Sequence, residues 1–237
     1  MSERYAADFL LERVLHRDGL MLIINKPAGL PVHAGPATRN AGDADNLEHY
    51  FDALRFGLPR APALAHRLDR DTSGCLVLGR HPKALRKLGK LFSDGKIEKT
   101  YWAICKGMPE KQSGTIDAPL LKKNDGKGWR VEISDDGQAA RTTYRVIGEK
   151  DGLSFIEAKP KTGRTHQIRV HLNSIGAPII GDPKYGELTQ GERAQPMMLH
   201  AWRIIVPISK NKDPVVVEAR APEEMVEIVS KVASHQF

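Results

Sequence analysis

Several classes of protein are excluded by what this 237-residue chain lacks. It has two cysteines, Cys75 and Cys105, and they form no Cys-x-x-Cys pair. Neither a zinc site nor a disulfide framework is indicated, and both thiols are expected as reduced core residues. No stretch approaches the ~18 apolar residues of a membrane-spanning helix. The N-terminal segment MSERYAADFLLERVLHRDG mixes charged and apolar residues, where a secretory leader carries an unbroken apolar run. There is no Gly-x-x-x-x-Gly-Lys-Ser/Thr phosphate loop and no Gly-x-Ser-x-Gly nucleophile elbow. Internal repeats, low-complexity tracts and linker-like segments are also missing. The expectation is a cytoplasmic protein, monomeric, folded as one domain over 1–237 and long enough to bury a core without staples.

What the chain does have is positive charge. Its 36 Lys and Arg residues against 29 Asp and Glu give a formal net charge of +7, with a pI near 9.4. That balance favours polyanionic partners, nucleic acid first.

Apolar patterning gives a coarse order of elements. Gly19 to Asn25 reads as a strand that ends in the turn Lys26-Pro27-Ala28-Gly29. Pro31 to Asp45 reads as a loop. Leu47, Tyr50, Phe51 and Leu54 then recur at helical spacing, with Asp45 or Asn46 as N-cap. Cys75 to Leu78 is a buried strand, and Pro82 to Phe92 a helix with Leu85, Leu88 and Phe92 inward and Lys83, Arg86, Lys87 and Lys90 outward. Strands are expected at Thr100–Cys105, Arg130–Ile133, Thr142–Ile147, Leu153–Ala158, Met198–Val206 and Val215–Ala219. A short helix follows Thr165 and is closed by Gly176, and a last helix covers Pro222 to Ala233. Strands outnumber helices without regular βαβ alternation, so the class is α+β with a mixed, mainly antiparallel sheet.

Two segments carry candidate chemistry. His66-Arg67-Leu68-Asp69-Arg70-Asp71-Thr72-Ser73-Gly74 sets the acid Asp69 between two arginines. Flanking cations favour an ionised carboxylate, the form needed for a nucleophile or general base; a solvated surface loop has the same residue types. Lys161 to Leu172 sets Thr165 as the expected N-cap of a helix with Ile168, Leu172 and Ile175 as its apolar stripe. His166, Arg169 and Asn173 fall on a separate polar face. Gly163-Arg164 at the helix start offers backbone N–H groups to an anion. His166 and His171 are five apart, turned roughly 140° from each other on a helix, which rules out a shared metal. Tyr101, beside Lys96 and Lys99, fits a base-stacking aromatic as well as a half-buried strand tyrosine.

The arrangement His66-Arg67-Leu68-Asp69 with Thr72-Ser73-Gly74 resembles the active-site motif of the RluA family of pseudouridine synthases. Further segments resemble that family's motifs in the same order: Asn25 to Gly29 with Val32-His33, Lys99-Thr100-Tyr101, Gly163 to His171, Gly181-Asp182 with Tyr185-Gly186, and Leu199-His200-Ala201. The resemblance implies a mixed, mainly antiparallel sheet in two halves with a central RNA cleft. It also implies an isomerase without cofactor or metal, which turns uridine into pseudouridine in structured RNA. Asp69 matches the essential aspartate, Tyr101 the tyrosine that stacks on the base, and Arg169 the cation that pairs with the catalytic carboxylate. Leu199 matches an apolar wall of the uracil pocket, and Arg67 an RNA contact, with Arg164 and His66 of the same motifs as further RNA-contact residues. The expected partner is ribosomal or transfer RNA, with neither DNA nor membrane. Because the motifs begin near Met1, a member without the N-terminal S4 module of many relatives is expected. A non-catalytic RNA binder of the same fold is the alternative. A hydrolase using Asp69 with a second carboxylate is a third reading, less well served by the sequence.

Overall fold

Continuous apolar runs account for the innermost strands and alternating ones for the rest. The computed structural model describes residues 5–33, 45–124, 126, 128–186, 195–209 and 211–232. Most of the expected Pro31–Asp45 loop, and Ala233 of the expected last helix, lie outside the described residues. In chain order the elements are β1 (Val14–Arg17), β2 (Met21–Lys26), β3 (Ala63–Leu64), β4 (Ser73–Gly79), α1 (Pro82–Ser93), β5 (Glu98–Lys106), β6 (Ser113–Asp117), β7 (Leu120–Asn124), β8 (Trp129–Ile133), β9 (Arg141–Lys150), β10 (Leu153–Pro160), α2 (Gln167–Ser174), β11 (Leu199–Val206), β12 (Val215–Glu218) and α3 (Glu223–Val232). The helix expected around Leu47 to Leu54 forms as a 3-10 helix, Leu47–Arg55, with those four apolar residues buried. Its cap is Asn46, whose side chain accepts the Glu48 N–H. The chain forms two compact units, Met1–Ile97 with Ala201–Arg220, and Glu98–His200 with Ala221–Phe237.

In the first unit the strand order is β1-β2-β4-β11, with β3 beside β4 and β12 beside β11. β2 and β4 run antiparallel, from Met21 opposite Gly79 to Lys26 opposite Gly74. One face of this pair, Met21, Ile23, Cys75 and Val77, packs with Leu88, Ile97, Ile204, Val206, Val217 and Ala219. Leu22, Ile24, Leu76 and Leu78 point the other way and are fully buried too, so both faces of the pair are covered. Each such side chain contributes about 1.5–3 kcal/mol. α1 has Pro82 in its first turn and is capped by His81, whose Nδ1 accepts the Ala84 N–H at 3.2 Å. It buries Ala84 and Leu88 and leaves Lys83, Arg86, Lys87 and Lys90 exposed.

The second unit is the antiparallel sheet β5-β10-β9-β6, with β7 and β8 as a separate hairpin. A bulge between Phe155 and Ile156 shifts the register of β10 on β9. α3 buries Met225 and Val232 and lies against β5, β9 and β10. α2 lies against β8, β9 and β10 and is buried nearly all round, from Gln167 to Leu172. The fold class is α+β with a mainly antiparallel sheet, as the patterning predicts.

Candidate active site

Asp69 lies on the connection between β3 and β4, in the first unit. One side chain ties that connection to the end of β2. Lys26 is fully buried, and its ammonium donates to the carbonyls of Pro27 at 2.8 Å, Arg70 at 2.8 Å and Thr72 at 3.0 Å. Three acceptors use all three N–H bonds of an ammonium group. Burial pushes Lys26 down to about 7, against the upward pull of Asp71 and Asp69. The Arg70 carbonyl also accepts the Gly29 N–H at 2.9 Å, and the Thr72 N–H closes a turn on the Asp69 carbonyl at 3.2 Å. Asp69 is half-buried, between the exposed Arg67 and Arg70. Arg70 pairs with Asp71 at 3.0 Å. Gly74 then takes φ of 108° against the backbone of Ala201, which a Cβ would strike. Only glycine fits both demands.

His66 braces this loop from within the fold. Its Nε2 accepts the Val77 N–H at 3.0 Å, which leaves the proton of the neutral ring on Nδ1, and the ring stacks on Phe92 with centroids 4.4 Å apart.

In the second unit Arg169 is 5% exposed and its partner Asp182 1%. Nε donates to Oδ2 at 2.8 Å and Nη2 to Oδ1 at 2.7 Å, a two-bond pair of the strong kind. Burial alone would raise Asp182, but the bonds from Arg169 and from the N–H groups of Lys184 and Tyr185 outweigh it and hold the carboxyl below its usual range. The Arg169 guanidinium also lies 5.1 Å from the centroid of the Tyr185 ring. Asp182 sits in the Gly181-Asp182 motif, yet nothing in the spacing of the sequence shows that it holds Arg169.

The helix carrying Arg169 starts later than expected. α2 begins at Gln167, and His166 rather than Thr165 is the cap residue, with φ of 54° and no side-chain cap bond. The Gln167 side chain instead ties the segment before the helix to β9. Its Oε1 accepts Thr162 Oγ1 at 2.6 Å and the Arg164 N–H at 3.0 Å, while its Nε2 donates to the Arg141 carbonyl at 3.0 Å and Thr142 Oγ1 at 2.9 Å. The Arg164 N–H expected to meet an anion is therefore used inside the protein. The guanidinium of Arg164 is exposed, with Nε donating to the Ala139 carbonyl at 3.1 Å.

The polar face expected for His166, Arg169 and Asn173 is also not a solvent face, since only Asn173 is exposed. His171 is buried, with Nε2 donating to the Ala118 carbonyl at 3.0 Å and Nδ1 accepting from Thr142 Oγ1 at 2.9 Å. Burial lowers its pKa and keeps the ring neutral. His166 Nδ1 meets the Tyr185 hydroxyl at 2.8 Å.

Tyr101 lies on β5 opposite Ala158 and is 9% exposed. Burial lowers the pKa of the nearby Lys99, whose Nζ donates to the Thr162 carbonyl at 3.4 Å. The Ile104 N–H donates to the Met198 carbonyl at 3.1 Å, which lays the segment entering β11 along β5. Leu199, the residue that follows, is buried.

Residues 20–174 match the model of the family described as RNA pseudouridylate synthase. The chain belongs to that family. It is 44% identical over 221 residues to an uncharacterized RNA pseudouridine synthase of Zymomonas mobilis, covering 92% of this chain and 98% of that one. It is 38% identical over 229 residues to ribosomal large subunit pseudouridine synthase D of the same organism, covering 90% and 70%. The solved structure of human RNA pseudouridylate synthase domain containing 4 superposes with a TM-score of 0.77 at 29% identity, covering 95% of this chain and 94% of that one. Some relatives are mitochondrial, among them a rice RNA pseudouridine synthase at 37% identity over 203 residues, covering 76% and 42%. This synthase is thus an isomerase that acts on RNA. Lys26, Asp69, Tyr101 and Arg169 fall inside the matched span, while Asp182 and Leu199 lie beyond it. Among its described residues no helix is long and apolar enough to cross a membrane.

Proposed function

We propose that this synthase isomerises uridine in structured ribosomal or transfer RNA with Asp69 as its catalytic carboxylate. The observation that carries the assignment is the Asp69 loop, whose backbone is held by one buried ammonium group just after a half-buried Asp69. A reactive group on a backbone-fixed turn is oriented before substrate arrives. In this reading the target uridine is flipped out of the RNA, at a cost of a few kcal/mol that backbone contacts offset. The N1–C1′ bond breaks, the uracil turns, a C5–C1′ bond forms, and the proton leaving C5 is balanced by one gained at N1. Asp69 serves either by attacking C1′ or by taking the C2′ proton. Tyr101 stacks on the base and assists removal of the C5 proton, Leu199 walls the uracil pocket, and Arg169, oriented by Asp182, is the catalytic cation.

Arg67 and Arg164 are exposed and suited to the RNA backbone, and the outer face of α1 adds Lys83, Arg86, Lys87 and Lys90. His66 completes the RNA-contact set by shaping the loop that carries Arg67. Large-subunit ribosomal RNA is the first choice of substrate, supported by the relative named for that RNA, with transfer RNA second. The two units are proposed to work as one catalytic domain, in a cytoplasmic monomer.

The test is pseudouridine mapping of total RNA from cells lacking the gene, complemented with wild type or with Asp69→Ala. A site that disappears on deletion and returns only with wild type establishes both the chemistry and the substrate. Full restoration by Asp69→Ala would remove Asp69 from the mechanism.

A further inference from the structure

The β7–β8 hairpin of the second unit carries side chains that the proposed chemistry does not use. One face is apolar and fixed at the end that starts with Leu120. Leu120 and Val131 pack with Ala140, Val170 and Tyr185, and the Tyr185 hydroxyl accepts the Val131 N–H at 3.0 Å. Toward Asn124 and Trp129 the same face becomes aromatic and cationic. Trp129, the first residue of β8, is 37% exposed. Two ammonium groups lie over its ring, Lys122 at 4.3 Å and Lys184 at 4.0 Å from the centroid. The Lys184 ammonium also donates to the Trp129 carbonyl. The His166 ring stands 4.9 Å from the indole at a tilt of 32°, and exposed Arg130 follows on the same strand.

Two like charges beside one exposed indole repel each other. The ring offsets this by only about 0.5–1 kcal/mol for each cation. The neighbouring Lys123 is neutralised by Glu132, whereas Lys122 has no carboxylate partner among the described residues. Anionic groups beside the two ammonium groups offset the repulsion, and RNA supplies one at every phosphodiester. His166 is three residues before Arg169, so the group adjoins the segment that carries the proposed catalytic cation.

We infer that Lys122 and Lys184, held in place by Trp129, form a subsite for the phosphodiester backbone of the RNA substrate. The inference rests on the reading of this chain as an RNA-modifying enzyme, and Trp129 acts in it as a positioning residue.

The test is binding of a fluorescently labelled stem–loop RNA with uridines in its loop to the full chain, across a series of salt concentrations. Lys122→Ala combined with Lys184→Ala is expected to weaken binding about ten-fold or more at low salt. It should make the slope of log affinity against log salt shallower by about 1.5, the share of two phosphate contacts. Trp129→Ala is expected to give part of that loss and Trp129→Phe, which keeps an aromatic face, to restore most of it. In turnover assays KM should rise by a larger factor than kcat falls. Lys122→Gln with Lys184→Gln repeats the test should the alanine pair fail to fold. Wild-type affinity and slope in a folded double variant would overturn the subsite. So would a Trp129→Ala loss that is equal at every salt concentration, the mark of a base stacked on the indole. Either result, with pseudouridine still formed, leaves the synthase reading standing; failure of that reading shows separately, as no pseudouridine formed by wild type.

Discussion

The loop bearing Asp69 and the helix bearing Arg169 are fixed in opposite ways. The loop is held by its backbone, with the Arg70 and Thr72 carbonyls converging on the single ammonium of Lys26. The helix is held by side chains, through the Arg169–Asp182 pair, the four bonds of Gln167 and the two of His171. A loop held by its backbone leaves its own side chains available for chemistry but depends on one distant residue. A helix held by a side-chain network spreads that dependence, and spends most of its polar groups on staying in place. The contrast shows how the motif around Asp69 keeps a half-buried acid on a backbone of fixed geometry.

Each half of the contrast has a variant that breaks it. The largest effect on folding is expected from Asp182→Ala, which strips the buried Arg169 of both bonds to Asp182 and should cost about 3–5 kcal/mol in denaturant unfolding. A loss well under about 1 kcal/mol, the ordinary scale of a surface substitution, would mean that Asp182 does not hold the helix. Lys26→Met takes one donor from each of three carbonyls and leaves the Arg70 carbonyl only the Gly29 N–H, at about 1–3 kcal/mol for a buried group left unpaired. It should lower kcat about a hundred-fold, the scale of misplacing a reacting group by about 1 Å. Unchanged kcat with Asp69 intact would end the claim that Lys26 sets the loop. The smallest effect is expected from Tyr185→Phe, which removes the acceptor of the Val131 N–H and should cost about 1 kcal/mol; no change in the melting temperature would show that the hairpin does not rely on it.

A pH series sharpens the same contrast, because stability and activity should move in opposite directions. Burial lowers Lys26 from the usual 10.5 to about 7, so between those values the unfolded chain binds the proton that the folded chain has lost. The contribution of this group to stability is therefore lowest below about pH 7 and rises with pH across that window. Activity should fall as pH climbs through about 7, because a neutral amine has two N–H bonds for three carbonyls. A Lys26→Met background should flatten both trends. Trends that persist in that background would assign them to another group.

Much of this architecture is legible in the sequence because the buried strands are written as continuous apolar runs. Met21 to Ile24 and Cys75 to Leu78 leave little choice, and the Leu85-Leu88-Phe92 spacing with Pro82 before it marks α1. The elements that were not anticipated are those whose strand character comes from their neighbours. β1 (Val-Leu-His-Arg) is short and half-exposed, β3 is two residues long, β6 (Ser-Gly-Thr-Ile-Asp) is an edge strand aligned by β9, and β7 buries only Leu120. The site divides along the same line. Asp69, Tyr101 and Arg169 stand out through ordered motifs. The partners that fix them are invisible to local patterning, because Lys26 is 44 residues from the Arg70 carbonyl it holds, and α2 starts after His166 without a side-chain cap, while Gln167 reaches back to the Arg164 N–H, although Thr165 had the better capping propensity.

The crossing of the chain between its two units bears on how the protein is made. β4 is complete long before its neighbour β11 exists, because all of β5 to α2 is synthesised in between. At a ribosomal rate of about 5–20 residues per second, the edge of β4 waits on the order of ten seconds for the strand that covers it. An uncovered apolar edge is a template for pairing with another nascent chain. Slow translation or crowded polysomes should therefore favour aggregation of this protein, and a rearranged gene that places the whole of β11 and β12 ahead of Met1 should shorten the exposure and raise the soluble yield.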